Sequence, residues 1–143
     1  MGPDCRFDHS FAAQPVEVRA VLARLRRASV LRGVPPNAAQ SCELVLAEAM
    51  NNIVEHAYAG AHGCLRLTLL RGRHHLICRL LDRGRPLPGL ALPSARLPAQ
   101  DDSPAEGGYG WFLIHSLSHR LHYRRTDGLN RLLIVVAANN LAA

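Results

Sequence analysis

The chain has 143 residues, 48 % of them apolar and 20 % charged, an ordinary globular mixture long enough for one domain with a single core. No apolar run approaches the roughly 20 residues of a membrane span, and the opening MGPDCRFDHS lacks a basic-then-apolar leader, so a single cytoplasmic domain over 1–143 with no membrane partner is expected. The formal charge of +6 comes from Arg without any Lys, but the arginines are scattered among acids and aromatics are only 5 %, which argues against direct nucleic-acid binding.

In chain order, CRFDHSF (5–11) alternates polar and apolar residues as a half-buried strand does. Residues 15–33 place Val18, Val21, Leu22, Leu25 and Val30 at helical spacing, between Pro15 and Gly33. A second, longer helix follows, with Asn37 as its N-cap and Gly60 as its stop. Residues 64–71 and 75–82 read as a hairpin turning at Gly72 and Arg73. Five prolines make 83–106 an irregular loop. GGYGWFLIHSLS (107–118) is a glycine cluster opening a short helix, and two strands close the chain around the turn signal TDGLN. Hairpin strands with helices gathered on one face make an α+β two-layer sandwich, its sheet mixed but mostly antiparallel and covered by three helices. Cys5, Cys42, Cys64 and Cys78 show no C-x-x-C pair, so buried reduced thiols are expected rather than a zinc or disulfide framework.

The long helix carries AEAMNNIVEHAY (47–58). At about 100° per residue, Asn52 lies about 40° and His56 about 80° from Glu48, while Leu46, Met50, Ile53 and Ala57 gather on the opposite side. Asn51 falls off that column. Asn is costly inside a helix because its side chain competes for backbone hydrogen bonds, and a merely solvated face does not require it. A carboxylate with a neutral amide one turn later suits a hydrated cation and a proton acceptor.

Gly107, Gly108 and Gly110 precede an apolar helix, where backbone N–H groups attract anions such as phosphate; a hinge at the end of the proline-rich loop is the alternative. No P-loop and no dinucleotide fingerprint is present. Asp82 ends an apolar strand two residues before Gly84, either as an ordinary turn aspartate or as an acceptor for the amino group of a flat base.

Taken in order, ELVLAEAMNNIVEHAY, LLDRGRPLP, EGGYGWFLI and YRRTDGLNRLLIV resemble the Bergerat-fold (GHKL) ATPases, and among them the anti-sigma serine kinases of the RsbW and SpoIIAB type. The resemblance runs from about residue 11 to 137. It implies ATP and Mg²⁺ as cofactors. It implies Glu48 as general base, Asn52 as Mg²⁺ ligand, and His56 as a residue that helps hold the site. It further implies that Asp82, with Gly84, receives the adenine amino group, and that Gly107, Gly108 and Gly110 meet the phosphates beneath a lid over 85–106. Tyr123, Gly128 and Asn130 match the family's closing motif as features of the last hairpin.

The implied activity is a serine/threonine protein kinase acting on a STAS-domain anti-sigma factor antagonist. The same protein sequesters a sigma factor or another client, and a homodimer is a further implication. One departure stands out: Glu106 occupies the place of a basic residue beside the glycine box, with Arg83, Arg85 and Arg96 the nearby cations. A nucleotide-gated binding module without transferase activity is the alternative reading. A metal site on His115, His119 and His122 is disfavoured because the helix ends among them.

Overall fold

Two hairpins organise the sheet. β2 (Cys64–Arg71) and β3 (His75–Asp82) pair antiparallel, as do β4 (Arg120–Thr126) and β5 (Leu129–Ala137). The second turn is the tighter: Asp127 and Gly128 have φ of 53° and 76°, the mirror-image turn whose twist matches its strands. The first spans residues 72–74 and is closed by Gly72 N–H donating to the His75 carbonyl at 2.8 Å. The computed structural model describes residues 5–95 and 108–138.

β1 (Arg6–Ala12) pairs with β2, and β5 pairs with β3, giving the order β1-β2-β3-β5-β4. Every pair is antiparallel, so no mixed pairing occurs among the described strands. The reason is topological. The connection leaving β3 carries the chain to the outer position, β4, and the last hairpin then folds β5 into the gap beside β3.

Three helices cover one face: α1 (Pro15–Arg26), α2 (Pro36–Asn52) and α3 (Gly108–Leu117). This is the expected α+β two-layer sandwich. Its core joins Val18, Val21 and Leu25 of α1, Leu46 and Met50 of α2 and Ile114 of α3 to Leu67, Leu80 and Ile134 of the sheet, all buried. Each such side chain contributes about 1.5–3 kcal/mol relative to exposure.

The helix ends differ from the expected ones. α1 stops at Arg26, and a 3₁₀ turn over Ser29–Leu31 follows, which drives Val30 fully into the core. Gly33 marks the end of that turn with φ of 79°. Asn37 is not the N-cap of α2; Pro35 precedes the helix and Pro36 occupies its first turn, where a missing N–H costs nothing. Beyond Asn52 the helix widens into a π turn over Ile53–Tyr58, ended by Ala59 at φ of 49° and Gly60 at φ of 89°.

All four cysteines are free, but only Cys42 and Cys78 are buried; Cys64 is exposed and Cys5 half-buried. The Cys42 and Cys78 sulfurs lie 3.6 Å apart. That hydrogen bond, and then burial, push the Cys78 thiol well above its usual range. Among the described residues no helix is long and apolar enough to cross a membrane.

Candidate functional site

A cavity of about 470 Å³ opens between α2, its π turn, the loop after β3, α3 and the ends of the last strands, within the size range of small-ligand sites. Asn52, His56 and Asp82 line it together with Trp111, Tyr123 and Asn130. Ile53, Leu87 and Leu132 give it apolar walls, so it is a slot with a few placed polar groups.

Asp82 stands at the last position of β3 and is only 4 % exposed. Its Oδ1 accepts from the Gly84 N–H at 2.9 Å and from Asn130 Nδ2 at 2.8 Å. Among the described residues nothing bonds its Oδ2. Burial pushes its carboxyl above the usual carboxylate value, opposed by the Asn130 and Gly84 hydrogen bonds and by the Arg125 charge. The result is a buried acceptor, held from one side, facing an apolar slot.

Gly84 has a steric reason to be glycine. A Cβ there would come within 2.7 Å of the Ala57 backbone. The neighbouring Arg85 N–H donates to the Ala57 carbonyl at 2.7 Å, so the loop after β3 is stitched to the π turn. Arg85 Nη2 also donates to the His56 carbonyl at 2.9 Å. A π turn leaves carbonyls without their α-helical partners, and here the loop supplies them.

Glu48 and Asn52 are one α-helical turn apart on α2. Gly110 of α3 lies over both: a Cβ there would come within 2.8 Å of Glu48 Oε2 and 3.6 Å of Asn52 Nδ2. Two of the sequence motifs are therefore in contact. Among the described residues Asn52 Nδ2 is buried without a hydrogen-bond partner, a costly arrangement unless a ligand uses the amide.

A family model described as the histidine kinase-like ATPase domain matches residues 11–136. The chain belongs to this family. It is 37 % identical over 91 residues to the serine/threonine-protein kinase BtrW of Bordetella bronchiseptica, a stretch covering 61 % of this chain and 62 % of BtrW. The chain thus matches somewhat less than two thirds of that relative's length. Its fold is similar to the structure of the RsbU and RsbW domains of Rv1364c from Mycobacterium tuberculosis, with a TM-score of 0.62 and 16 % identity over 94 % of this chain and 33 % of that one. The resemblance to RsbW-type members of the family is thereby borne out, and an ATPase domain implies an ATP site.

In this ATPase domain the residues at hand fit Mg²⁺. Glu48 and the Asn52 Oδ1 offer hard oxygen donors, and among the described residues no hydrogen bond through Nδ2 fixes which way the Asn52 amide turns. Among the described residues no three of His, Cys, Asp and Glu gather into a metal site of their own. Mg²⁺ carried on phosphates and water with one or two protein oxygens needs no such cluster.

Other site residues fall differently. His56 lines the cavity, but it stands in the π turn, so the α-helical angle does not describe it. Its ring is mostly exposed, 3.8 Å from Glu55. Glu48 is not among the cavity-lining residues. Gly108 opens α3, whereas Gly107, Glu106, Arg96 and the rest of the expected lid from 96 on lie outside the described residues. Residues 85–95 form the near part of that loop, pinned by Leu87 N–H to the Tyr123 hydroxyl at 3.0 Å and by His115 Nε2 to the Pro93 carbonyl at 2.9 Å. His115 thus anchors the near part of the loop.

Sequence reasoning undervalued Asn130. It is buried, and its Nδ2 serves Asp82, the Gly84 carbonyl at 3.1 Å and the Arg85 carbonyl at 3.1 Å. Its Oδ1 accepts from the Tyr123 hydroxyl at 2.7 Å and Arg125 Nη1 at 2.8 Å. The motif match makes it a feature of the last hairpin; in the fold it is the hub that fixes the Asp82 turn. Trp111 lines the cavity, and nothing in its spacing within the apolar helix marks it as a cavity wall.

Proposed function

We propose that this domain is an ATP-dependent serine/threonine protein kinase and anti-sigma regulator, which phosphorylates a STAS-domain antagonist and sequesters a sigma factor or another client. The observation that carries it is the contact of Gly110 with Glu48 and Asn52, beside a cavity that also holds the buried acceptor Asp82. Similarity to BtrW, a serine/threonine-protein kinase, supports the same reading.

In this reading Asp82 accepts the adenine amino hydrogen, and the apolar walls at Ile53, Trp111 and Leu132 take the faces of the base. Asn52 and the N–H groups opening α3 hold the phosphate end. Mg²⁺, when bound, offsets phosphate charge and orients the γ-phosphoryl group. Glu48 accepts the proton of the substrate hydroxyl as its oxygen bonds to the γ-phosphorus and the bond to the β–γ bridging oxygen breaks, releasing ADP. Among the described residues Arg85 is the one arginine that lines the cavity.

The second reading, an ATP-gated client-binding module without transfer, is favoured by one observation. Glu48 lies outside the cavity lining with Gly110 against its carboxylate. One experiment separates the two. Protein, Mg-ATP and the candidate antagonist are mixed, and phosphoserine is sought by mass spectrometry. Transfer that Glu48→Gln abolishes supports the kinase. ATP and partner binding with no phosphorylated product supports the module.

A further inference from the structure

The helices cover one face of the sheet, and no described helix lies on the other. Strand register fixes what that open face carries. Arg79 of β3 stands opposite Leu133 of β5; Leu81 stands opposite Arg131, and Arg131 opposite Arg124 of β4. Arg79, Arg124 and Arg131 are exposed, while Leu81 and Leu133 are half-buried. The open face is thus an apolar stripe fringed by arginines.

Its charge is unbalanced. The sole acid in the paired rows of this face is Asp8 of β1, already engaged by Arg66 at 2.7 Å and Arg6 at 3.2 Å. Among the described residues Arg79, Arg124 and Arg131 form no ion pair. Arg124 and Arg131 are, moreover, direct cross-strand partners, and like charges placed this way weaken a sheet. Folding alone does not call for that arrangement; an incoming carboxylate relieves it.

We propose that the open sheet face is a docking surface for an acidic partner protein, one that presents an apolar ridge flanked by Asp or Glu side chains. Charge complementarity selects an acidic occupant. The leucine stripe selects a protein over nucleic acid, since this part of the face carries no Phe, Tyr or Trp on which bases could stack and His122, opposite Leu133, is its one ring. A second copy of this chain would bring up a face whose charge has the same sign. The face lies on the side of the sheet away from the helices, so the inference stands whether or not the domain transfers phosphate.

The test uses a labelled synthetic peptide alternating Leu and Glu, with a Ser and Glu peptide of the same charge, duplex DNA and phosphatidylserine vesicles as competitors. The Leu and Glu peptide binds wild type selectively, and the double variant Arg79→Glu/Arg131→Glu weakens it at least about tenfold. ATP affinity, unchanged in the variant, shows that the domain remains folded. Arg131→Glu alone relieves the clash with Arg124, so it raises the thermal midpoint by about 2–4 °C while weakening the peptide. Absence of peptide binding, equal binding of the Ser peptide, DNA or vesicles, or undiminished binding by the double variant overturns the proposal. So does a wild-type dimer that the double variant loses, since a second copy would then be the occupant.

Discussion

Asn130 Nδ2 donates to Asp82 Oδ1 at 2.8 Å because β3 and β5 pair with these two residues directly opposite one another. The same amide reaches the Gly84 and Arg85 carbonyls, so one side chain orients the buried carboxylate and anchors the loop that follows it. Asn130→Ala removes these bonds together and leaves buried acceptors unpaired. A stability loss of about 2–4 kcal/mol is expected, with a parallel loss of ATP affinity. Chemical denaturation and calorimetric ATP titration check the two effects. Asn130→Asp sets a second carboxylate beside Asp82 and is expected to cost ATP affinity even where the fold survives.

Asp8 and Asp82 act oppositely on acid stability. The Arg66 guanidinium holds the Asp8 carboxyl far below its usual 3.8, whereas burial pushes Asp82 above it. For Asp8 the unfolded chain takes up protons first as pH falls, so its stabilisation is present above pH 3.8 and is lost as pH drops through the lower folded value. For Asp82 the folded chain holds the proton longer, so its contribution is full at acid pH and lost as pH rises through its raised value. Asp8→Asn is therefore expected to flatten the acid-side loss of stability, and Asp82→Asn to steepen it. Denaturation midpoints measured from about pH 2 to pH 7, on both sides of 3.8, decide this; identical profiles for the two variants contradict the assignment.

Gly84 and Gly110 separate fold from chemistry. A Cβ at Gly84 meets Ala57 backbone at 2.7 Å, which has no easy escape, so Gly84→Ala is expected to cost about 1–3 kcal/mol. A Cβ at Gly110 meets the end of a flexible side chain, Glu48 Oε2 at 2.8 Å. Gly110→Ala therefore keeps the fold, with the helix favouring Ala by up to about 1 kcal/mol, while displacing the carboxylate. Phosphoryl transfer falls while the thermal midpoint holds or rises. A drop in midpoint as large as that of Gly84→Ala counts against this reading.

The outcome for these two glycines shows where sequence was legible. The hairpins, the covered face and the pairing of Leu46 and Met50 with the core follow from periodicity, which local chemistry dictates. The contact of Gly110 with Glu48, and the register that sets Asn130 against Asp82, join residues that are 62 and 48 positions apart, and no periodic pattern encodes them. The π turn was illegible for a different reason. It depends on Arg85 and its backbone N–H taking the carbonyls of His56 and Ala57, a tertiary partnership that IVEHAY alone does not announce.

The two adjacent asparagines make the sharpest test of the site. Asn52 lines the cavity, and its amide nitrogen is buried without a partner; Asn51 does neither among the described residues. Removing an unsatisfied buried amide does not cost the usual hydrogen-bond energy, so Asn52→Ala should leave stability within about 1 kcal/mol of wild type. Its effect should fall on Mg²⁺ linkage. Wild type is expected to bind ATP more tightly with Mg²⁺ than with chelator, and Asn52→Ala to lose most of that difference. Asn51→Ala keeps it. Calorimetric titration of ATP under both conditions reads this directly, without any substrate protein. Equal losses from the two variants would mean that the amide serves the helix and not the nucleotide.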